Sequence, residues 1–215
     1  MDQGNLYDMR KDYGVRELRE EDVNPNPYDQ FEEWFKQAVK TEGSEANAFT
    51  LSTIGEDGMP EGRVVLLKFY GEDGFTFYTN YNSRKANDIE SNPKAAMTFY
   101  WRTKEQQVRI KGIVSKVDPI ISDEYYKERP LGSRIGAWAS PQSQIIPNRS
   151  FLEEQYKEFE DKFNSSVEIP RPEYWGGYLI DPTRIEFWQG RSSRLHDRIV
   201  YEKDGDIWKT YRLAP

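Results

Sequence analysis

The sequence predicts a mainly β protein, an antiparallel barrel decorated by short helices. Three observations carry that prediction. Aromatic residues make up 14% of the 215-residue chain while aliphatic residues are modest, and ring side chains pack well on pleated surfaces. Glycine-containing turns, Glu56-Asp57-Gly58, Glu72-Asp73-Gly74 and Asp204-Gly205, separate short runs of strand-forming residues. Apolar residues at helical spacing are confined to a few short segments. A chain of this length suits one domain with a sizeable core.

Taken in order, residues 1–24 are polar, charged and without period, and read as a mobile N-terminal arm. That leaves residues 25–215 as one domain. Asn26 to Thr41 predicts a helix, with Pro27 where a first turn tolerates it and Phe31, Trp34, Phe35 and Ala38 at helical spacing. Ala48 to Ile54 and Arg63 to Tyr70 read as paired strands, and Phe75 to Asn80 as a third. Ser83 is placed to cap a helix over Arg84 to Glu90 that Asn92-Pro93 stops. The segments 95–101 and 106–117 are two further strands. Asp123 to Glu128 and Phe151 to Phe163 read as helices, after which the proline-rich IPRPEYWGG returns the chain to strands at 178–190 and in the hairpin 198–215. No internal repeat or low-complexity tract interrupts this order.

Composition excludes several functions. Formal charge is −7, from 30 basic and 37 acidic residues. An acidic chain repels nucleic-acid backbones unless its bases cluster, and here the clusters are short and suited to small phosphates. No nucleic-acid partner is expected. No run approaches the ~18 apolar residues of a membrane span, and the amino terminus lacks the apolar core of a secretory signal. Zero cysteines exclude disulfides, thiolate metal sites and thiol catalysis, so the expected address is cytoplasmic. His196 is the one histidine. It excludes multi-histidine zinc sites, and no GxSxG elbow accompanies it. No metal is expected.

Four clusters carry candidate chemistry. In RVVLLK, Arg63 and Lys68 are five apart, on opposite faces if the strand runs through; solvated end charges fit equally well. In YTNYNSRKA, Tyr78 to Ala86, a strand end meets a helix start with Ser83, Arg84 and Lys85 in a row. Helix-start amides and cations favour an anion such as a phosphate monoester, although an ordinary capped helix with surface bases also fits. In YYKERPLGSRIGAW, Tyr125, Arg129 and Ser133 recur every four residues. They form one stripe of phosphate donors if helix continues, but Pro130 and Gly132 argue for a break into loop. In IEFWQGRSSRLHDR, Arg194, His196 and Arg198 share a face if the segment is strand, and that much positive charge calls for an anion.

The string Ile185-Glu186-Phe187-Trp188-Gln189, then after four residues Arg194-Leu195-His196-Asp197-Arg198, resembles the signature of the pyridoxamine 5′-phosphate oxidase family. The resemblance runs from about Arg10 to the terminal RLAP, with RVVLLK, FYTN, SRKA, QV, RP-x-x-S-x-IGAW, QS and WGG in the expected order. It implies an FMN-binding split β-barrel of antiparallel Greek-key type, a homodimer with FMN in the subunit interface. It implies flavin contacts from Arg63, Val64, Val65, Leu66, Leu67, Lys68, Tyr78, Thr79, Arg84, Lys85, Gln107, Gln142, Ser143, Trp188 and Arg198. The substrate phosphate is then expected at Lys68, Tyr125, Arg129 and Ser133. Arg194, Leu195 and His196 are expected beside the substrate ring, Arg194 and His196 as catalytic residues, with Arg10, Lys11, Asp12 and Tyr13 as a lid. The implied reaction oxidises pyridoxamine or pyridoxine 5′-phosphate to pyridoxal 5′-phosphate, with oxygen as acceptor and hydrogen peroxide as by-product. A flavin reductase with a nicotinamide donor, or a non-catalytic pyridoxal phosphate carrier, fits less well, because flavin and substrate positions are both filled.

Overall fold

A computed structural model describes residues 12–14, 16–164 and 168–215. Arg10 and Lys11 of the expected lid lie outside the described residues. Among the described residues, nine strands form one sheet in the order β2-β1-β5-β6-β7-β4-β3, with β8 on β7 and β9 on β8. The strands are β1 (Ala48–Ile54), β2 (Pro60–Leu66), β3 (Phe69–Gly71), β4 (Gly74–Asn80), β5 (Lys94–Trp101), β6 (Gln106–Lys116), β7 (Trp175–Gln189), β8 (Asp197–Asp204) and β9 (Ile207–Arg212). The pairs β3–β4, β4–β7, β7–β8 and β8–β9 are antiparallel. The sheet is not closed, and β2 and β3 end its path. Its helices are α1 (Pro27–Glu42), α2 (Arg84–Ser91), α3 (Pro119–Glu128), α4 (Leu131–Ala139) and α5 (Arg149–Phe163). A mainly antiparallel β protein with flanking helices is what the sequence predicts.

The chain divides into two compact units: Met1–Phe49 with Met97–Lys111 and Pro182–Pro215, and Thr50–Ala96 with Gly112–Asp181. In the first, Asn26 caps α1 by accepting from the Tyr28 amide at 2.9 Å, and Pro27 fills the first turn. The apolar stripe of α1 is buried: Phe31 meets the Phe99 ring at 5.4 Å and Trp34 meets Phe187 at 5.2 Å, edge-on contacts that add to the burial term. The second half of β7 pairs with β8 from Gln189↔Asp197 to Arg184↔Glu202. Part of the segment read as an arm is anchored here. The Leu18 amide donates to Asp197 at 3.1 Å, and Arg212 donates to the Leu18 carbonyl at 2.7 Å.

In the second unit, the first half of β7 pairs with β4 from Asn80↔Trp175 to Phe75↔Ile180. The strand expected over Arg63 to Tyr70 is two strands. Beyond Leu66 the chain changes ladder, and the Lys68 amide donates to the Thr76 carbonyl in β4 at 2.9 Å. Helix α3 starts earlier than expected, because Asp118 accepts from the Ile120 amide at 2.8 Å and Pro119 fills the first turn. It ends at Arg129, which is extended (φ −72°, ψ 144°), as a residue before proline prefers. A second helix, α4, then starts, where the sequence pointed to a loop. Tyr126, Ile135, Ile169 and Trp175 form a buried cluster, with Trp138, Phe159 and Phe163 packed against it.

Candidate functional site

A cavity of about 700 Å³ lies in the second unit. Arg63, Val64, Val65 and Leu66 line it from β2, Lys68 from the ladder change, Tyr78 and Thr79 from the end of β4, and Lys85 from the first turn of α2. Tyr125, Arg129 and Ser133 line it from the α3–α4 junction, and Gln142 from the loop after α4. Arg63 and Lys68 thus meet one cavity instead of opposite faces of a strand, because the strand stops between them. Other expected residues of this unit stand apart from the lining. Leu67 is buried, Arg84 pairs with Glu61 at 2.6 Å, and Ser143 holds a left-handed φ of 68° beside Gln142, a sparsely populated conformation that clusters at functional sites. Glu128, Pro130 and Trp175 also line the cavity without having been assigned from sequence; the WGG motif was the available signal for Trp175.

The cations of this wall differ in how they are held. Arg63 donates to Thr53 Oγ1 at 2.6 Å and pairs with Glu61 at 3.0 Å, with Asp88 3.7 Å away. Lys85 instead donates to three neutral oxygens: Thr79 Oγ1 at 3.1 Å, Ser83 Oγ at 3.1 Å and Gln142 Oε1 at 2.9 Å. Burial lowers its ammonium to about 8, helped by the Arg63 charge and opposed by Asp88. Ser83 does not cap α2 with its side chain; its hydroxyl donates to the Asn80 carbonyl at 2.7 Å. Among the described residues, the first amides of α2 therefore have no side-chain acceptor, and no carboxylate pairs with the ammonium beside them. That is the composition of an anion site.

The opposite part of the lining is aromatic. Tyr78 stacks on Tyr125 at 4.0 Å and on Trp175 at 5.5 Å, and the Arg129 guanidinium lies 4.3 Å from the Trp175 centroid. Arg129 Nη1 is buried without a hydrogen-bond partner, and burial pushes the group below the usual arginine value. Helix breaks after Glu128, yet Tyr125, Arg129 and Ser133 still converge. Extended Arg129 redirects the chain, and the new helix places Ser133 in its first turn, where its amide donates to the Pro130 carbonyl at 2.9 Å.

The remaining expected residues belong to the first unit. Gln107 is half-buried on β6 and Leu195 is exposed. The expected strand face Arg194-His196-Arg198 does not form. Ser192–Arg194 is a short 3₁₀ turn, with Ser193 and Arg194 left-handed at φ 54° and 62°, and β8 begins at Asp197. Part of the charge here is met within the fold. Arg198 pairs with buried Glu186 at 2.8 Å, and Arg191 with Asp197 at 3.2 Å and Glu17 at 2.8 Å. His196 lies 4.6 Å from the Trp188 ring centroid, with Tyr13 5.8 Å from His196 and 5.9 Å from Trp188. The Arg191 amide donates to His196 Nδ1 at 3.1 Å. Asp12 is exposed. Among the described residues no cluster of three metal-ligating side chains exists, and no helix is long and apolar enough to cross a membrane.

Known proteins match this chain over nearly all its length. The family model described as pyridoxamine 5′-phosphate oxidase matches residues 35–163. The model of the pyridoxine 5′-phosphate oxidase C-terminal dimerisation region matches residues 175–215. A pyridoxine/pyridoxamine 5′-phosphate oxidase of Polynucleobacter asymbioticus is 53% identical over 211 residues, covering 98% of this chain and 99% of that protein. Its counterpart in Cupriavidus metallidurans is 51% identical with the same coverage. Among solved structures, PhzG of Burkholderia lata, in complex with tetrahydrophenazine-1-carboxylic acid, superposes with a TM-score of 0.87 at 29% identity, covering 94% of this chain and 100% of that one. A pyridoxamine 5′-phosphate oxidase-related, FMN-binding protein of Nostoc punctiforme shares the fold, with a TM-score of 0.70 at 18% identity over 90% of this chain and 100% of that one.

Proposed function

Because the chain belongs to the pyridoxamine 5′-phosphate oxidase family, we propose that it oxidises pyridoxamine and pyridoxine 5′-phosphates to pyridoxal 5′-phosphate. FMN is the proposed cofactor and oxygen the acceptor, with hydrogen peroxide released, and ammonia as well from the amine. The observation that carries this reading is the buried, unpartnered Nη1 of Arg129 in a cavity lined by cations and stacked rings. An unpaired buried guanidinium is costly alone and favourable beside a phosphate.

The residues present fit two phosphorylated aromatic molecules. Lys85, the open α2 amides and Arg63 suit the FMN phosphate, while Val64, Val65, Leu66, Leu67, Lys68, Tyr78, Thr79, Arg84, Gln107, Gln142, Ser143, Trp188 and Arg198 are the other proposed flavin contacts. Tyr125, Arg129 and Ser133, with Lys68, are the proposed substrate-phosphate ligands. The bound cofactor supplies two-electron oxidation at the carbon bearing the amine or alcohol. The chain's own work is orientation and exclusion of water. Arg194 and His196 are proposed beside the substrate ring, with Leu195. His196 accepts at Nδ1, so its neutral ring keeps a proton to donate at Nε2. Tyr13, against Trp188 and His196, supports a covering role for the segment Arg10, Lys11, Asp12 and Tyr13. The match of residues 175–215 to a dimerisation region supports a homodimer, and FMN at the subunit interface is part of the proposal.

Purified protein is expected to show flavin absorbance and to produce hydrogen peroxide with pyridoxamine 5′-phosphate. A colourless protein that binds pyridoxal phosphate without consuming oxygen, or one that needs a nicotinamide donor, would overturn the reading.

A further inference from the structure

Trp175 and the two glycines after it take no part in the assignments above, yet they shape the cavity wall. Trp175 is 6% exposed. Its backbone is fixed on three sides: it pairs with Asn80 in the β4–β7 ladder, its amide donates to the Pro172 carbonyl at 3.0 Å, and its carbonyl accepts from Arg171 at 2.6 Å. Its ring is nearly parallel to those of Tyr78 (13°) and Tyr125 (12°) and meets Tyr126 edge-on at 5.2 Å. Gly177 makes room for this stack. A Cβ there would lie 2.8 Å from Tyr78 Cε1 and 2.6 Å from Val117, closer than side-chain carbons approach.

The Arg129 guanidinium sits 4.3 Å from the Trp175 centroid and 5.6 Å from that of Tyr126. Among the described residues no carboxylate pairs with it, and Nη1 has no acceptor. A carboxylate would hold an arginine by consuming its charge and its in-plane donors. A ring face attracts the cation through its quadrupole and leaves the N–H fork open.

We propose that Trp175 is a positioning residue: it holds Arg129 by its ring face so that the guanidinium remains undischarged for the substrate's phosphate. The proposal rests on the assignment of Arg129 to that phosphate. Gly177 serves the same end by admitting the Tyr78 ring that keeps Trp175 in place.

The test is steady-state oxygen consumption by the flavin-loaded protein with pyridoxamine 5′-phosphate, for Trp175→Phe, Trp175→Tyr, Trp175→Leu, Arg129→Ala and the Leu–Ala double variant. Trp175→Leu is expected to raise KM about tenfold, equivalent to about 1.4 kcal/mol, with kcat within about twofold. The two ring-retaining variants are expected between it and the parent. Arg129→Ala in the Trp175→Leu background is expected to raise KM by less than it does alone, since the two changes remove one coupled interaction. Fully additive effects, or a kcat loss with unchanged KM, would overturn the proposal. If the leucine variant does not fold, Trp175→Met is read in its place, and a parent KM in that ring-free variant overturns the proposal equally. An Arg129→Ala variant with parent KM would instead remove the underlying assignment, a result distinct from failure at Trp175 alone.

Discussion

Around the cavity Lys85 is held by three neutral oxygens and Arg129 by a ring face. In the C-terminal tail, Arg191, Arg198 and Arg212 each end on a carboxylate. Both regions are rich in positive charge; most of the tail's is met by carboxylates, Arg194 excepted, while among the described residues no carboxylate pairs with Arg129 or Lys85. An arginine neutralised by its own fold positions its neighbours, whereas one without a counter-ion keeps its charge for an anion. Charge density along the chain therefore locates both regions without distinguishing them. Pairing distinguishes them.

The largest test of this contrast breaks the tail. Glu186 is 1% exposed and faces Arg198 at 2.8 Å and Arg184 at 3.1 Å, with Arg109 at 3.8 Å. Removing the carboxylate leaves part-buried Arg198 and Arg184 without their counter-ion. Glu186→Ala is expected to destabilise the fold by about 3–5 kcal/mol, read as a fall in the calorimetric midpoint of roughly 2–4 °C per kcal/mol. An unchanged midpoint would mean that the tail's pairs carry no structural load. Arg194 is the tail arginine that breaks the pattern, exposed and left-handed at φ 62°. Arg194→Ala is expected to lower turnover about a hundredfold, the size of a lost electrostatic donor, with flavin occupancy near the parent's. Parent turnover would remove it from the reaction.

In the cavity, Arg129→Ala is expected to raise KM for phosphorylated substrate by roughly ten- to hundredfold, from the ~1.5–3 kcal/mol of a charge-assisted hydrogen bond. Stability is expected to hold, because a half-buried charge with no carboxylate partner among the described residues has been removed. A destabilised variant with unchanged KM would place Arg129 with the tail arginines instead. The smallest effect is Lys85's. With its value lowered to about 8, protonated Lys85 disfavours the folded state below pH ~8, and that penalty fades as pH rises toward the ordinary lysine value of ~10.4. An anion reverses the preference. Inorganic phosphate is expected to bind the flavin-free protein more weakly above pH ~8 and to take up a proton there, seen in calorimetric heats that depend on the buffer. Heats independent of buffer would show that Lys85 does not meet the anion.

What the sequence revealed and what it hid follow a physical line. Local signals placed most elements: β1 runs Ala48–Ile54 as read and Pro27 marks the start of α1, whereas the same signal at Pro119 was passed over and α3 was read four residues short. The strand break after Leu66 has no local signal, since it reflects a change of ladder partner from β1 to β4. The shared face of Arg194, His196 and Arg198 was read on the condition that the segment is strand, and nothing in RSSR announces two left-handed residues in succession. Most of the proposed phosphate ligands came from the family resemblance, while spacing alone left the Tyr125-Arg129-Ser133 stripe undecided. Trp175 was missed because its role depends on rings brought together by β4, α3 and β7. Of its motif only the glycines are conspicuous in a sequence, and their use becomes clear once Tyr78 is seen beside Gly177.

The central claim is that the cavity's uncompensated cations select phosphorylated substrates for oxidation. It is tested most directly by oxygen consumption of the flavin-loaded protein with pyridoxamine 5′-phosphate against pyridoxamine lacking the phosphate. The account predicts turnover of the phosphorylated amine, with kcat/KM at least about tenfold lower for the unphosphorylated one. Equal efficiencies for the two, or no oxygen uptake with either, would contradict it.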